Sequence, residues 1–306
     1  MRILVIGAGA TGGYFGGRLT QAGRDVTFLV RGATAERLRR DGLHIVSPFH
    51  GDATVQPKIV TAAEITGPYD LIVLSVKAYG LAAAIEDFAP AVGPETMILP
   101  FLNGMHHLDL LAARFGEQPV IGGVCLVSSA LGKEGEIVQF NPTQKITYGE
   151  RDGELTERVQ ALDRAMQGAG FEAKLSGQIM QDMWEKWVQL ASLGASNSLM
   201  RGSIGEIVAV PHGAEITLQI LTECSAIAAA CGYAPRAAMI AQASSLLTTP
   251  GSPLTASMYR DLSSGSRVEV DQILGDLLRR GREHEVKAPL LQAAFTNLSI
   301  YQSHLS

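Results

Sequence analysis

The chain has 306 residues, enough for two domains each with its own core. Lys and Arg number 25 against 30 Asp and Glu, and the net charge of −5 gives no electrostatic footprint for nucleic acid. No apolar run reaches the roughly 18 residues of a membrane span, the first residues lack a signal-peptide layout, and Cys125, Cys224 and Cys231 form no C-x-x-C pair, so a reduced, cytoplasmic, soluble protein is expected.

Arg2–Ile6 reads as a short buried strand and residues 11–21 as the helix behind it. Between them Gly7, Ala8, Gly9, Ala10, Thr11 and Gly12 fit G-x-G-x-x-G. Gly7 permits the tight turn, Gly9 lets a pyrophosphate approach bare backbone, and Gly12, helped by Gly16, brings helix and strand close together. The free N–H groups and the dipole at the helix start would hold the phosphates. A second strand is expected over 25–30. In NAD-binding folds an acid ends this strand and takes the ribose 2′-OH. Here the position reads Val30-Arg31-Gly32. A guanidinium suits a 2′-phosphate through charge-assisted bonding, so NADP(H) is the expected cofactor. The plainer reading of Arg31 is a surface arginine at a basic helix start, since Arg37, Arg39 and Arg40 follow.

Further helices are expected over 33–40, 81–89, 105–114 and 155–167. Further strands are expected over 71–76, 96–99, 120–127, 137–140, 145–148 and 171–175. Strands alternating with helices imply a doubly wound, mostly parallel sheet covered on both faces, with antiparallel pairing among the last strands. A ligand is expected outside the carboxyl ends of the strands. Lys77 ends the 71–76 strand, where a cation could reach the adenosine end of a cofactor or simply be solvated. Asn103-Gly104 follows the 96–99 strand. It is foremost a turn signal, but its side-chain amide is also placed to bond cofactor ribose or substrate.

From Gly177 the strand signals vanish and apolar residues recur at helical spacing, as in Met183, Trp187 and Leu190, in 216–230, and in Val270, Ile273 and Leu277. The expected organisation is an α/β N-terminal Rossmann domain over 1–175 and an all-α domain over 176–306. The apolar stripes of the second domain could bury within one chain or across a homodimer. Lys186, beside that stripe, could polarise a ketone and deliver the proton that completes a reduction. An i,i+4 pair with Asp182 is its structural alternative. Glu269 precedes Ile273 and Leu277 at the edge of a buried face. Ser257 could cap a helix or bond a substrate carboxylate. His106 and His107, with Asp109, point about 100° apart on a helix, so no metal site is expected. No G-x-S-x-G elbow occurs, which excludes that hydrolase class.

In order and spacing these pieces resemble the ketopantoate reductase (2-dehydropantoate 2-reductase) family over nearly the whole chain. The resemblance rests on Gly7 to Gly12, Arg31, Val76-Lys77-Ala78, Leu102-Asn103-Gly104, Trp184-Glu185-Lys186, Ser257 and Val268-Glu269-Val270-Asp271. It implies NADPH-dependent reduction of a 2-oxo acid, ketopantoate in the first instance, on the route to pantothenate and coenzyme A. It makes Lys186 the general acid, sets Asn103 at both nicotinamide and substrate, and gives Ser257 to the substrate. Glu269 would lie by cofactor and substrate hydroxyl, and Ala130 would make a further backbone contact to NADP. One departure stands out. The family carries asparagines four, eight and eighteen residues after the lysine, where this chain has Leu190, Gly194 and Ile204. Asn197 shares the lysine's helix face and could replace one amide, and Arg201 is a further polar group in the region. The departure leaves open a dehydrogenase for a more apolar oxo or hydroxy acid, and, in another class, a non-catalytic NADP(H)-binding sensor.

Overall fold

Runs of three to five mostly apolar residues, too short for helices, build most strands of the first half. The computed structural model describes residues 1–305. Its strands are β1 (Arg2–Ile6), β2 (Asp25–Leu29), β3 (Leu43–Val46), β4 (Ala53–Val55), β5 (Lys58–Val60), β6 (Leu71–Leu74), β7 (Met97–Pro100), β8 (Gly122–Leu131), β9 (Ile137–Gly149) and β10 (Glu172–Leu175). The helices among them are α1 (Ala10–Gln21), α2 (Gly32–Asp41), α3 (Leu81–Phe88), α4 (His106–Phe115) and α5 (Glu157–Met166). One sheet has the order β5-β2-β1-β6-β7 with every neighbour parallel. Ile3, Leu4 and Val5 of β1 are fully buried, as strands covered on both faces must be.

The expected single sheet is in fact two. A second sheet has the order β10-β9-β3-β4, with β8 antiparallel to β9. Helix α1 packs on β1 and β2 of the first sheet and on β3, β4, β8 and β9 of the second. That position explains its four glycines. A Cβ on Gly16 would stand 2.6 Å from Phe28 Cζ, and one on Gly17 would stand 2.8 Å from Leu43 Cδ2. The segments expected as strands 137–140 and 145–148 are one strand, β9. Its pairing with β8 jumps from Val127↔Gln144 to Ser129↔Gln139. The skipped residues 140–143 include Pro142, which has no N–H to give a ladder.

The second half is helical: α6 (Ile179–Met200), α7 (Ile204–Val208), α8 (Gly213–Ala230), α9 (Ala237–Leu247), α10 (Ser257–Ser263), a π-helical turn at Asp271–Gly275, α11 (Asp276–Glu283) and α12 (Pro289–Ser303). Ser203 and Glu206 form a capping box that starts α7. The buried Glu223 carboxylate of α8 accepts the Leu290 and Leu291 N–H groups at 3.3 and 2.9 Å, capping α12 from a neighbouring helix. The chain forms two compact units. Met1–Leu102 and His107–Met180 make the first, and Asn103–His106 join residues from Gln181 onward in the second. Among the described residues, no helix is long and apolar enough to cross a membrane.

Candidate functional site

In the first unit, β1 ends at Ile6 and the chain turns at Gly7, whose φ of +82° favours glycine. The Gly7 N–H donates to Leu29 O at 2.9 Å, which ties the turn to β2. Gly9 is the N-cap of α1 and offers no side chain to it, and the first turn carries no acid. Gly9 and Gly12 are small for different reasons. A Cβ at Gly12 would stand 2.2 Å from Ser75 Oγ and 3.1 Å from Gly7 O, whereas one at Gly9 would meet nothing within 4 Å. Gly12 closes the helix onto the strands; Gly9 faces open space. Ser75, just past the end of β6, has a buried hydroxyl without a hydrogen-bond partner. Ser129 of β8 donates to Ala10 O at 3.1 Å, which brings the strand carrying Ala130 against the loop. An uncapped helix start, bare backbone and an unpartnered hydroxyl fit the pyrophosphate of a dinucleotide.

Arg31 is the N-cap residue of α2. Its guanidinium is not a lone surface cation. Nε donates to Asp87 Oδ2 at 2.7 Å, and Nη2 donates to the same oxygen. Asp87 stands on α3, and the two side chains are 67% and 27% exposed. The neighbouring basic charges are paired off locally, Arg39 with Glu64 and Arg40 with Asp41. Arg31 could thus meet a 2′-phosphate only by sharing with, or leaving, Asp87. Lys77 is exposed at the start of the short turn Ala78–Gly80.

The remaining candidates belong to the second unit. Lys186 is half-buried on α6, between the buried Glu185 and Trp187. Trp187 Nε1 donates to Ile273 O at 2.9 Å, inside the Asp271–Gly275 turn. Glu269, 8% exposed, lies two residues before that turn. Asn103-Gly104 lies against the same turn, since a Cβ on Gly104 would stand 2.3 Å from Gln272 O. One irregular turn therefore gathers the backbone next to Lys186, Asn103 and Glu269. Such π-helical insertions are frequent at functional sites. Ser257 is the first residue of α10. Its neighbours fasten to α6, with Ala256 N–H donating to Asn197 Oδ1 at 2.8 Å.

That bond corrects the role expected for Asn197. Its Nδ2 donates to Gly202 O at 2.8 Å, its Oδ1 takes Ala256, and the side chain is fully buried. The amide holds the end of α6 together with the start of α10, so it cannot stand in for a lost family asparagine. Arg201 is exposed, with a long contact of 3.4 Å to Asn297 Oδ1. Ile204 is fully buried at the start of α7.

Glu185 was passed over in the sequence for its neighbour. Its carboxylate accepts the Arg236 N–H and Nε at 2.8 Å each, Arg236 Nη2 at 2.5 Å, and Gln181 Nε2 at 3.1 Å. Arg236 Nη2 also donates to Asp182 at 2.6 Å. Burial raises the Glu185 carboxyl, but these donors outweigh it and hold the group below the usual glutamate value.

The chain matches the family described as Ketopantoate reductase PanE/ApbA over residues 3–153, and that described as Ketopantoate reductase PanE/ApbA C terminal over 178–302. An uncharacterized oxidoreductase, YkpB, of Bacillus subtilis (strain 168) is 36% identical over 303 residues, covering 99% of each chain. The crystal structure of 2-dehydropantoate 2-reductase from Methylococcus capsulatus is 28% identical, with a TM-score of 0.89 over 100% of this chain and 98% of that one. A ternary structure of D-mandelate dehydrogenase with NADH and anilino(oxo)acetate has the same fold, with a TM-score of 0.87 at 22% identity over 100% and 99% of the two chains.

Proposed function

Since the chain belongs to the ketopantoate reductase family, we propose that it reduces a 2-oxo acid to a 2-hydroxy acid with NADPH. The cofactor, when bound, supplies the hydride. The Gly7–Gly12 loop holds its pyrophosphate on bare backbone, with Ser75 and Ala130 beside the loop, and Arg31 and Lys77 serve the adenosine end. Lys186 donates the proton to the oxygen that was the ketone. Ser257 bonds the substrate carboxylate, and Asn103 and Glu269 position the carbinol oxygen. The observation that carries the reading is Lys186 itself. It is half-buried next to Trp187, whose indole fastens α6 to the turn that also holds the Asn103 loop and follows Glu269. NADPH oxidation followed at 340 nm, with ketopantoate and a panel of 2-oxo acids, tests it. Tight NADPH binding with no oxidation by any of them would leave a non-catalytic sensor in its place.

The Arg31–Asp87 pair makes the choice of cofactor measurable. Arg31→Ala is expected to weaken NADPH binding about tenfold, the worth of one charge-assisted contact at an exposed site. NADH binding should stay unchanged. Asp87→Asn frees the guanidinium and removes a like charge, so NADPH should bind up to about fivefold tighter, the range of an exposed ion pair. Fluorescence titration of both nucleotides decides. Equal effects on NADPH and NADH would detach Arg31 from the 2′-phosphate.

A further inference from the structure

We infer that the substrate branch beside Lys186 is apolar and unhydroxylated; the inference rests on the 2-oxo acid reductase reading and narrows its substrate class. On α6, positions 186, 190 and 194 fall within about 80° of one another around the helix axis. A face built to recognise a hydroxyl needs side-chain donors or acceptors there. Position 190 is a half-buried leucine. Position 194 has no side chain, and the space one would enter is already taken. A Cβ on Gly194 would stand 2.7 Å from Met258 Cε and 3.8 Å from Ala256 Cβ.

Met258 is 2% exposed and directly follows Ser257. A thioether methyl thus fills the place of an amide, and it arrives on the helix start that carries the carboxylate-binding hydroxyl. The amide of Asn197, further along the same face, is spent at both ends on Gly202 and Ala256. Gln189 lies about 60° from Lys186, but on the side away from Leu190 and Gly194, about 100° and 140° from them around the helix, so its amide does not join their patch. Leu190 and Met258 together offer the substrate branch hydrocarbon and sulfur, and a hydroxyl placed against them loses its water without gaining a partner.

The test is a pair of acids differing in one atom. Ketopantoate and 3,3-dimethyl-2-oxobutanoate share the 2-oxo acid and the quaternary carbon, and only the first carries a 4-hydroxyl. With NADPH, kcat/KM is expected to be about 10-fold to 100-fold higher for 3,3-dimethyl-2-oxobutanoate, the penalty for an unpartnered hydroxyl in an apolar site. Gly194→Asn alone would drive its side chain into Met258. The double variant Gly194→Asn/Met258→Ala gives an amide that space, and should move the ratio at least tenfold toward ketopantoate. If the double variant does not fold, the ratio in the unaltered protein decides alone. An equal or higher kcat/KM for ketopantoate overturns the inference and leaves the reductase reading intact. Bound NADPH that neither these acids nor any other 2-oxo acid oxidises overturns both.

Discussion

Lys186→Ala is expected to lower kcat by about 10²–10⁴, the span a positioned general acid supplies. NADPH affinity should be unchanged, and the fold should be retained. The second half of this expectation comes from how α6 is held. Its roll about its own axis is fixed on one side of the lysine by Glu185 on Arg236, and on the other by Trp187 on Ile273 O. The lysine rides on a backbone that other residues have already locked. Truncating it therefore removes an ammonium and leaves the frame, as pre-organised sites require. Lys186→Arg separates the two things an ammonium can do. A guanidinium keeps the charge that polarises a ketone but does not release its proton near neutral pH. If proton donation is the main contribution, arginine restores less than tenfold of the loss. If electrostatic polarisation is, arginine restores most of it. A Lys186→Ala enzyme with unchanged kcat on a substrate the parent reduces would make the lysine a structural residue of α6 only.

What the sequence disclosed was local, and what it hid was tertiary. The Gly7–Gly12 turn was legible because its chemistry lies within six residues, and glycine at position 7 permits the left-handed backbone found there. The alternation of β1, β2, β6 and β7 with α1 to α4 was legible for the same reason. Strands β3, β4 and β5 were not. They have three or four residues each, only Leu43, Ile45 and Ala53 are buried among them, and no run of alternation is long enough to read. The expected strands over 137–140 and 145–148 leave Asn141 and Pro142 between them, and the structure absorbs both into an irregular stretch of β9. At the site, Lys186 could be singled out by its setting among tryptophans. Asp87, 56 residues from Arg31, and Arg236, 51 residues from Glu185, carry no local signal of the charges they meet. Gly194 is the sharpest case. In the sequence it was a missing asparagine; the structure shows the space occupied by Met258, 64 residues further along the chain.

Arg236→Ala is expected to destabilise the helical unit by about 3 kcal/mol, seen as a drop of roughly 6–12 °C in the transition that unfolds it. The loss arises from what stays behind. The Glu185 side chain is 9% exposed while that of Arg236 is 50% exposed, so truncation removes the more solvated partner and leaves a buried carboxylate holding only the 236 N–H and Gln181. A charge in that position costs more than the ion pair itself contributes. The loss falls at the low end of the range for buried pairs because those two donors remain. Glu185→Gln tests this reasoning. Placed beneath Arg236→Ala, it removes the stranded charge and should recover at least half the loss. If Arg236→Ala costs the same in both backgrounds, the cause is the lost bond to Asp182 or the lost packing of the arginine stem, and not the charge stranded on Glu185. The pH dependence has a definite sign. A carboxyl held below its ordinary value contributes stability that is fully present above the unfolded value of about 4.3. That contribution fades as the pH falls from there through the lower folded-state value. The gap between the parent and Arg236→Ala should therefore be widest near neutrality and should shrink in acid, where both proteins carry a protonated Glu185. A gap that widens in acid would place the stabilising charge on some other group. The pair also connects stability to turnover, because Glu185 adjoins the proposed acid. Arg236→Ala should lower kcat on any substrate the enzyme reduces even well below its melting temperature, by loosening the helix from which Lys186 projects.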